Sequence, residues 1–307
     1  MRPLHAETPL FESRALSTSA GRTVWLKLEA MQPPGSFKIR GIGLACQEYA
    51  LRGARRFISS SGGNAGIAVA YSGRHLSVPV VVVVPETTTE RAKALIRQEG
   101  AEVVVHGPSW HEANAWALSM VQESDAFLHP FDDPHVWRGH ASLVDEVARS
   151  DVIPDAIVLS VGGGGLLSGV VEGLHRNGWT DVPVIGVETK GADSFAQSLR
   201  AGYPVELAGI TSIATSLGAA RVCDQALSCS AKHPVSSIVV SDRAAVSACR
   251  RFLADHRVVV EPACGASLAV VYDGAPELGA FKSVLVVVCG GVTVTVDQLR
   301  EWSSGYE

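Results

Sequence analysis

The segment AIVLSVGGGGLLSGVVEGL, residues 156–174, joins an apolar run to four consecutive glycines and then to a helical pattern. A buried strand that feeds a helix through a tight turn is the repeating unit of a parallel sheet covered on both faces. One glycine suffices for such a turn. Four let backbone N–H groups approach an anion closely, and the helix N-terminus adds a favourable field. Gly162, Gly163, Gly164 and Gly165 are therefore expected to cradle a phosphate, with a merely tight turn as the bland alternative.

The same rhythm extends in both directions. FISSS (57–61), VPVVVVVP (78–85), EVVVHG (102–107), VPVIGVE (182–188), SSIVVSD (236–242) and SVLVVVCGG (283–291) are short β-branched runs, each followed by a helical candidate. The expected fold class is α/β, with two doubly wound, mostly parallel sheet domains. Residues 37–135 read as a small domain inserted into a large one made of 1–36 and 136–307. Ligands of such sheets bind at the carboxyl ends of the strands, so the site is expected in the cleft between the domains.

The chain has 307 residues, 47% of them apolar and 19% charged, with a net charge of −5. These values fit a compact globular protein and exclude a disordered one. No basic run suits nucleic acid, and no apolar run is long enough to span a membrane. The N-terminal MRPLHAETPLFES resembles neither a signal peptide nor an anchor. Cysteines at 46, 223, 229, 249, 264 and 289 lack zinc-ligand spacing, so reduced thiols in a cytoplasmic protein are expected.

A dinucleotide fold would require G-x-G-x-x-G, but its third glycine falls on Ser168 or Leu167, so that fingerprint fails. SSSGGNAG (59–66) forms a second strand-end loop. Ser61, Gly62, Gly63 and Asn64 there could surround a carboxylate or simply cap a helix. Cys289 follows an apolar strand, where either an inert buried thiol or a ligand contact is consistent. Glu261 could be a functional carboxylate but reads better as a solvated or helix-capping one, and none of the ten histidines is assigned a catalytic role. QPPGSFKIRG (32–41) places Lys38 and Arg40 in the first turn of a helix, where cations are mildly unfavourable. Either both point into water, or Lys38 serves as something other than a simple ammonium.

ETPLFES, PPGSFKIRGIG, HPFDDPHVWRGHASL, LSVGGGGLLSGVVEGL, VPVIGVETKGADSF and VEPACGASLAVVY occur in this order over nearly the whole chain. Together they resemble the fold-type II (tryptophan synthase β-like) pyridoxal-phosphate enzymes, most nearly the L-serine/L-threonine dehydratases. The resemblance implies pyridoxal 5′-phosphate as cofactor, in the cleft between the domains, attached to Lys38 through a Schiff base. It further implies that Phe37 packs on the pyridine ring and Asn64 bonds its 3-oxygen. Gly162–Gly165 and Leu166 would hold the phosphate, and Cys289 would face the ring nitrogen. Ser61, Gly63, Asn64 and Ala65 would grip the substrate carboxylate. A monovalent cation such as potassium would be held by oxygens of Glu188, Ala192 and Leu217.

The implied activity is deamination of L-serine to pyruvate and ammonia, with L-threonine to 2-oxobutanoate second, in a cytoplasmic homodimer whose partner is a small amino acid. A thiol is too weak a donor to keep the ring nitrogen protonated, which favours β-elimination. Serine racemase, threonine deaminase and a non-catalytic nucleotide sensor are the alternatives.

Overall fold

A computed structural model describes residues 1–306. The strands are β1 (Leu10–Glu12), β2 (Thr23–Lys27), β3 (Arg56–Ser59), β4 (Val80–Val84), β5 (Glu102–Val105), β6 (Asp125–Phe127), β7 (Ala156–Ser160), β8 (Val184–Thr189), β9 (Val235–Val240) and β10 (Ser283–Val287). They form two sheets, a six-stranded one in the order β1-β2-β10-β7-β8-β9 and a four-stranded one in the order β5-β4-β3-β6. Every pairing is parallel except β1 with β2.

The apolar runs lie where their composition demands. All five residues of β4 and of β7 are buried, because helices cover both faces of each sheet. One large apolar core surrounds the six-stranded sheet, and two smaller clusters enclose the four-stranded one. Three strands escaped the sequence reading: β1, β2 and β6. β1 and β6 have three residues each, and β1 is mostly exposed, so neither shows an apolar run. Among the described residues, no helix is long and apolar enough to cross a membrane.

The helix Lys38–Leu51 packs against both the Asn64–Leu76 helix and the Pro134–Ala148 helix. Its first turn is held by buried charges. Arg40 is fully buried, with Nε and Nη2 donating to Glu29 at 2.6 and 2.8 Å. Nη1 and Nη2 donate to Glu146 at 2.6 and 2.7 Å. Lys27, at the end of β2, donates to the same Glu146 and to the Thr8 carbonyl. The reading in which Arg40 points into water is therefore overturned. Its guanidinium is a planar fork of five donors, which suits two carboxylates at once.

Candidate active site

Lys38 is the first residue of its helix, and the chain before it is fastened to the end of β10. Phe37 N donates to the Cys289 carbonyl at 3.1 Å, Gly291 N donates to the Gly35 carbonyl at 3.0 Å, and Ser36 pairs with Gly290 in an antiparallel bridge. The fastening brings Lys38 to Cys289 across 251 positions of sequence. Lys38 Nζ donates to the Pro130 carbonyl at 2.8 Å. Burial pushes this amine down to about 8, while Cys289, Glu261 and Cys223 pull it partly back up. A free amine is thus accessible near neutrality, as a Schiff-base lysine requires.

The glycine loop lies at the head of the helix Gly165–Arg176. Gly164 is its N-cap with φ +90°, and no side chain caps its amides. A Cβ on Gly164 would stand 2.6 Å from Ala226 Cβ and 2.8 Å from Val222 Cγ2. The ring of Phe131 lies against Gly163, 2.3 Å from where a Cβ would be. Leu166 is buried behind the loop. Open amides on a backbone that only glycine adopts here fit a phosphate. Gly164→Ala is expected to weaken pyridoxal-phosphate binding about tenfold or more through strain and lost approach. Spectroscopic titration of the apo-protein measures this, and unchanged affinity would remove the loop from the site.

Asn64 opens the Asn64–Leu76 helix, whose N-cap Gly63 likewise offers no side-chain cap. Its Oδ1 accepts from Val292 N at 3.3 Å and its Nδ2 donates to Glu261 Oε1 at 2.8 Å, which leaves one N–H of the amide available. Ser61 Oγ accepts from Gly63 N at 3.4 Å. Ser61 and Gly63 are half-buried and Ala65 is buried, so the loop exposes backbone amides at a helix N-terminus, a suitable seat for a carboxylate.

Phe37 is half-buried, and its ring sits 4.9 Å from that of His140 and 5.2 Å from Lys38 Nζ. Burial, with the charges of Lys38 and Arg40, holds His140 well below its ordinary range and hence neutral. The Cys289 thiol is buried. Its hydrogen bond with Cys264, reinforced by burial, raises it well above the thiol range, so it stays protonated.

Of the proposed cation ligands, Leu217 lies beside the glycine loop: a Cβ on Gly162 would be 3.4 Å from the Leu217 carbonyl oxygen. Ala192 is buried and follows β8. Glu188 is fully buried, its carboxylate oxygens accepting from Phe195 N and Ala196 N at 2.9 and 2.7 Å. Burial pushes its carboxyl up to about 7, with the backbone hydrogen bonds from Phe195 and Ala196 pulling it partly back.

Two parts of the site were missed in the sequence, and a third was given the wrong preferred role. Pro130 and Phe131 sit in HPFDD, a quoted motif to which no role was given. Glu261 is the third. It is buried rather than solvated and, although it occupies the N-cap position of the Pro262–Tyr272 helix, its side chain caps nothing and turns to Asn64.

Comparison with known proteins places the whole chain among pyridoxal-phosphate enzymes. "Serine dehydratase-like" of Mus musculus is 50% identical, the match covering 97% of this chain and 94% of the relative. "L-serine dehydratase/L-threonine deaminase" of Homo sapiens is 46% identical over the same shares. The crystal structure of a fungal L-serine ammonia-lyase from Rhizomucor miehei superposes with a TM-score of 0.95 at 36% identity, covering 100% of both chains. Residues 1–290 match the family described as "Pyridoxal-phosphate dependent enzyme", to which this chain belongs.

Proposed function

We propose that the enzyme deaminates L-serine to pyruvate and ammonia, and L-threonine to 2-oxobutanoate as a second activity. The observation that carries this reading is the pairing of a lysine amine pushed down to about 8 with a neutral thiol, Cys289, at the end of β10. Relatives named for serine dehydration support it. In this reading residues 37–135 form the small domain, and 1–36 with 136–307 the large one.

The bound cofactor supplies an electron sink for the charge left at the substrate α-carbon. The protein does the rest. Amides of the Ser61–Ala65 loop hold the carboxylate, and Lys38 Nζ takes the α-proton and keeps it on one face. Gly162–Gly165 and Leu166 would seat the phosphate, Phe37 would pack on the ring, and the free N–H of Asn64 Nδ2 would be donated to the 3-oxygen. Cys289, as a weak donor, would leave the ring nitrogen unprotonated, which favours loss of the β-hydroxyl. A monovalent cation held by Glu188, Ala192 and Leu217 belongs to the same reading, as does a cytoplasmic homodimer. Six unpaired, buried thiols are consistent with a reducing compartment.

A racemase needs a proton donor on the face opposite Lys38. Gly62 offers none, and a Cβ there would meet Thr88 Oγ1 at 2.5 Å. The purified enzyme is therefore expected to form pyruvate from L-serine with no detectable D-serine, and to slow when potassium is exchanged for a bulky organic cation. Gly62→Ser alone is expected to gain nothing, whereas Gly62→Ser with Thr88→Ala opens space for racemase side activity. A coupled pyruvate assay with chiral chromatography reads all of this. Substantial D-serine from the unmutated enzyme would overturn the choice of dehydratase.

A further inference from the structure

The carboxyl of Glu261 sits on the floor of the site with no part in the chemistry outlined above. Its Oε1 accepts from Asn64 Nδ2 at 2.8 Å and its Oε2 from Thr293 Oγ1 at 3.4 Å, with Ser216 also bonded to it. It lies flat on Gly291, where a Cβ would stand 2.2 Å from its carboxyl carbon; only glycine leaves that room. Gly291 is in turn bonded to Gly35, three residues before Lys38. The carboxyl thus touches Asn64 directly and reaches Lys38 through space.

We propose that Glu261 is a positioning residue of the reaction: it fixes the Asn64 carboxamide toward the cofactor ring and supplies the carboxylate charge that faces Lys38. This rests on the reading in which Lys38 carries the cofactor. Among the described residues, Glu261 is the only carboxylate among the groups that act on Lys38; Cys289 and Cys223 are thiols. His129 and His140 also feel the Lys38 charge, and burial lowers both, so they are neutral there. Around Glu261 itself the titratable groups are Lys38, Cys289 and Cys249; the hydrogen bond with Cys264 and burial raise Cys289, and burial raises Cys249, keeping both thiols uncharged. The carboxylate–lysine pair is therefore the working electrostatic couple of the floor.

Burial pushes Glu261 up to about 7, with hydrogen bonds from Ser216, Asn64 and Thr293 and the Lys38 charge pulling it back. Above that value it is an anion, and an anion favours the protonated form of the nitrogen it faces. Removing the charge must lower the proton affinity of the Lys38 nitrogen, whether free or joined to cofactor.

Glu261→Gln keeps an oxygen that accepts from Asn64 but abolishes the charge; Glu261→Ala abolishes both. In the cofactor-loaded protein, the pH midpoint of the visible band is expected to fall by about one unit in both variants. In the apo-protein, the pH at which cofactor capture becomes fast should fall in the same direction. Cofactor affinity should hold in Glu261→Gln and drop about tenfold in Glu261→Ala, as Asn64 loses its partner. A merely structural carboxyl would change melting temperature and leave the midpoints in place. Midpoints unmoved in Glu261→Gln, which is nearly isosteric and retains the packing on Gly291, would overturn the proposal. A borohydride-fixed adduct that persists in Lys38→Ala would instead overturn the Lys38 reading beneath it.

Discussion

Lys38→Ala protein is expected to turn over L-serine on the order of 10⁴-fold more slowly, or not at all, and to yield no borohydride-fixed adduct. It should still bind pyridoxal phosphate weakly through the open amides of the Gly162–Gly165 loop. Two roles are lost at once, the covalent attachment and the base on one face of the substrate, and no neighbouring lysine can replace it. Lys27 and Lys93 are buried, but each amine is already held by a carboxylate, Glu146 and Glu90 respectively. The pH dependence gives a sharper check. Burial pushes Lys38 down from an ordinary 10.5 to about 8, so its neutral, nucleophilic fraction grows as pH rises through that value. Capture of cofactor by the apo-protein should accelerate up to about pH 8 and then level. Capture that continues to climb toward pH 10, or a reduced adduct mapped to another lysine, would sink the assignment.

The legible parts of the sequence were those with local causes. The runs that became β4, β7, β8 and β10 are continuous and apolar because both faces are covered, and this pattern needs no knowledge of distant residues. The glycine loop and the Ser61–Asn64 loop were visible for the same reason, since their turn chemistry lies within a few positions. What stayed hidden depends on partners far along the chain. Asn64 and Glu261 are 197 positions apart, and Arg40 and Glu146 are 106 apart. A buried Glu has the same letter as a solvated one, and only tertiary packing tells them apart. Phe131 was hidden differently: its motif was recognised, but nothing local shows that its ring covers Gly163. β6 was lost to its length of three residues, and β2 to its mixture of buried and half-buried positions.

Arg40→Ala is expected to destabilise the protein by about 3–5 kcal/mol, the cost of stranding buried charge. The guanidinium sits between Glu29 and Glu146, both buried, and also donates to Ser142 Oγ at 3.1 Å and Thr8 Oγ1 at 3.3 Å. With it gone, two carboxylates remain in a low-dielectric interior, with Lys27 on Glu146 and the His5 imidazole 4.0 Å from it as the nearest basic groups. Arg40→Lys keeps the charge but has three donors in place of five and no planar fork, so it should recover only part of the loss. Acid sensitivity separates charge from packing. Burial pushes Glu146 up, but Arg40 and Lys27 outweigh it and hold the carboxyl below its ordinary 4.5. A depressed carboxylate contributes stability above its unfolded value and loses it as pH falls through the folded one. In the wild type that loss comes below pH 4.5; without Arg40, the stranded Glu146 protonates more readily, its buried charge costs less as pH falls, and the stability gap to wild type should narrow from pH 7 to pH 5. Residue 40 also stands two positions after Lys38, in the same helical turn. The variant that remains folded should therefore lose the contact of Lys38 Nζ with the Pro130 carbonyl, and kcat should fall about tenfold or more. Urea unfolding at pH 7 and pH 5, with kcat measured on the folded fraction, tests each step. Equal stability of Arg40→Ala and wild type at both values would show that the network does not hold the helix.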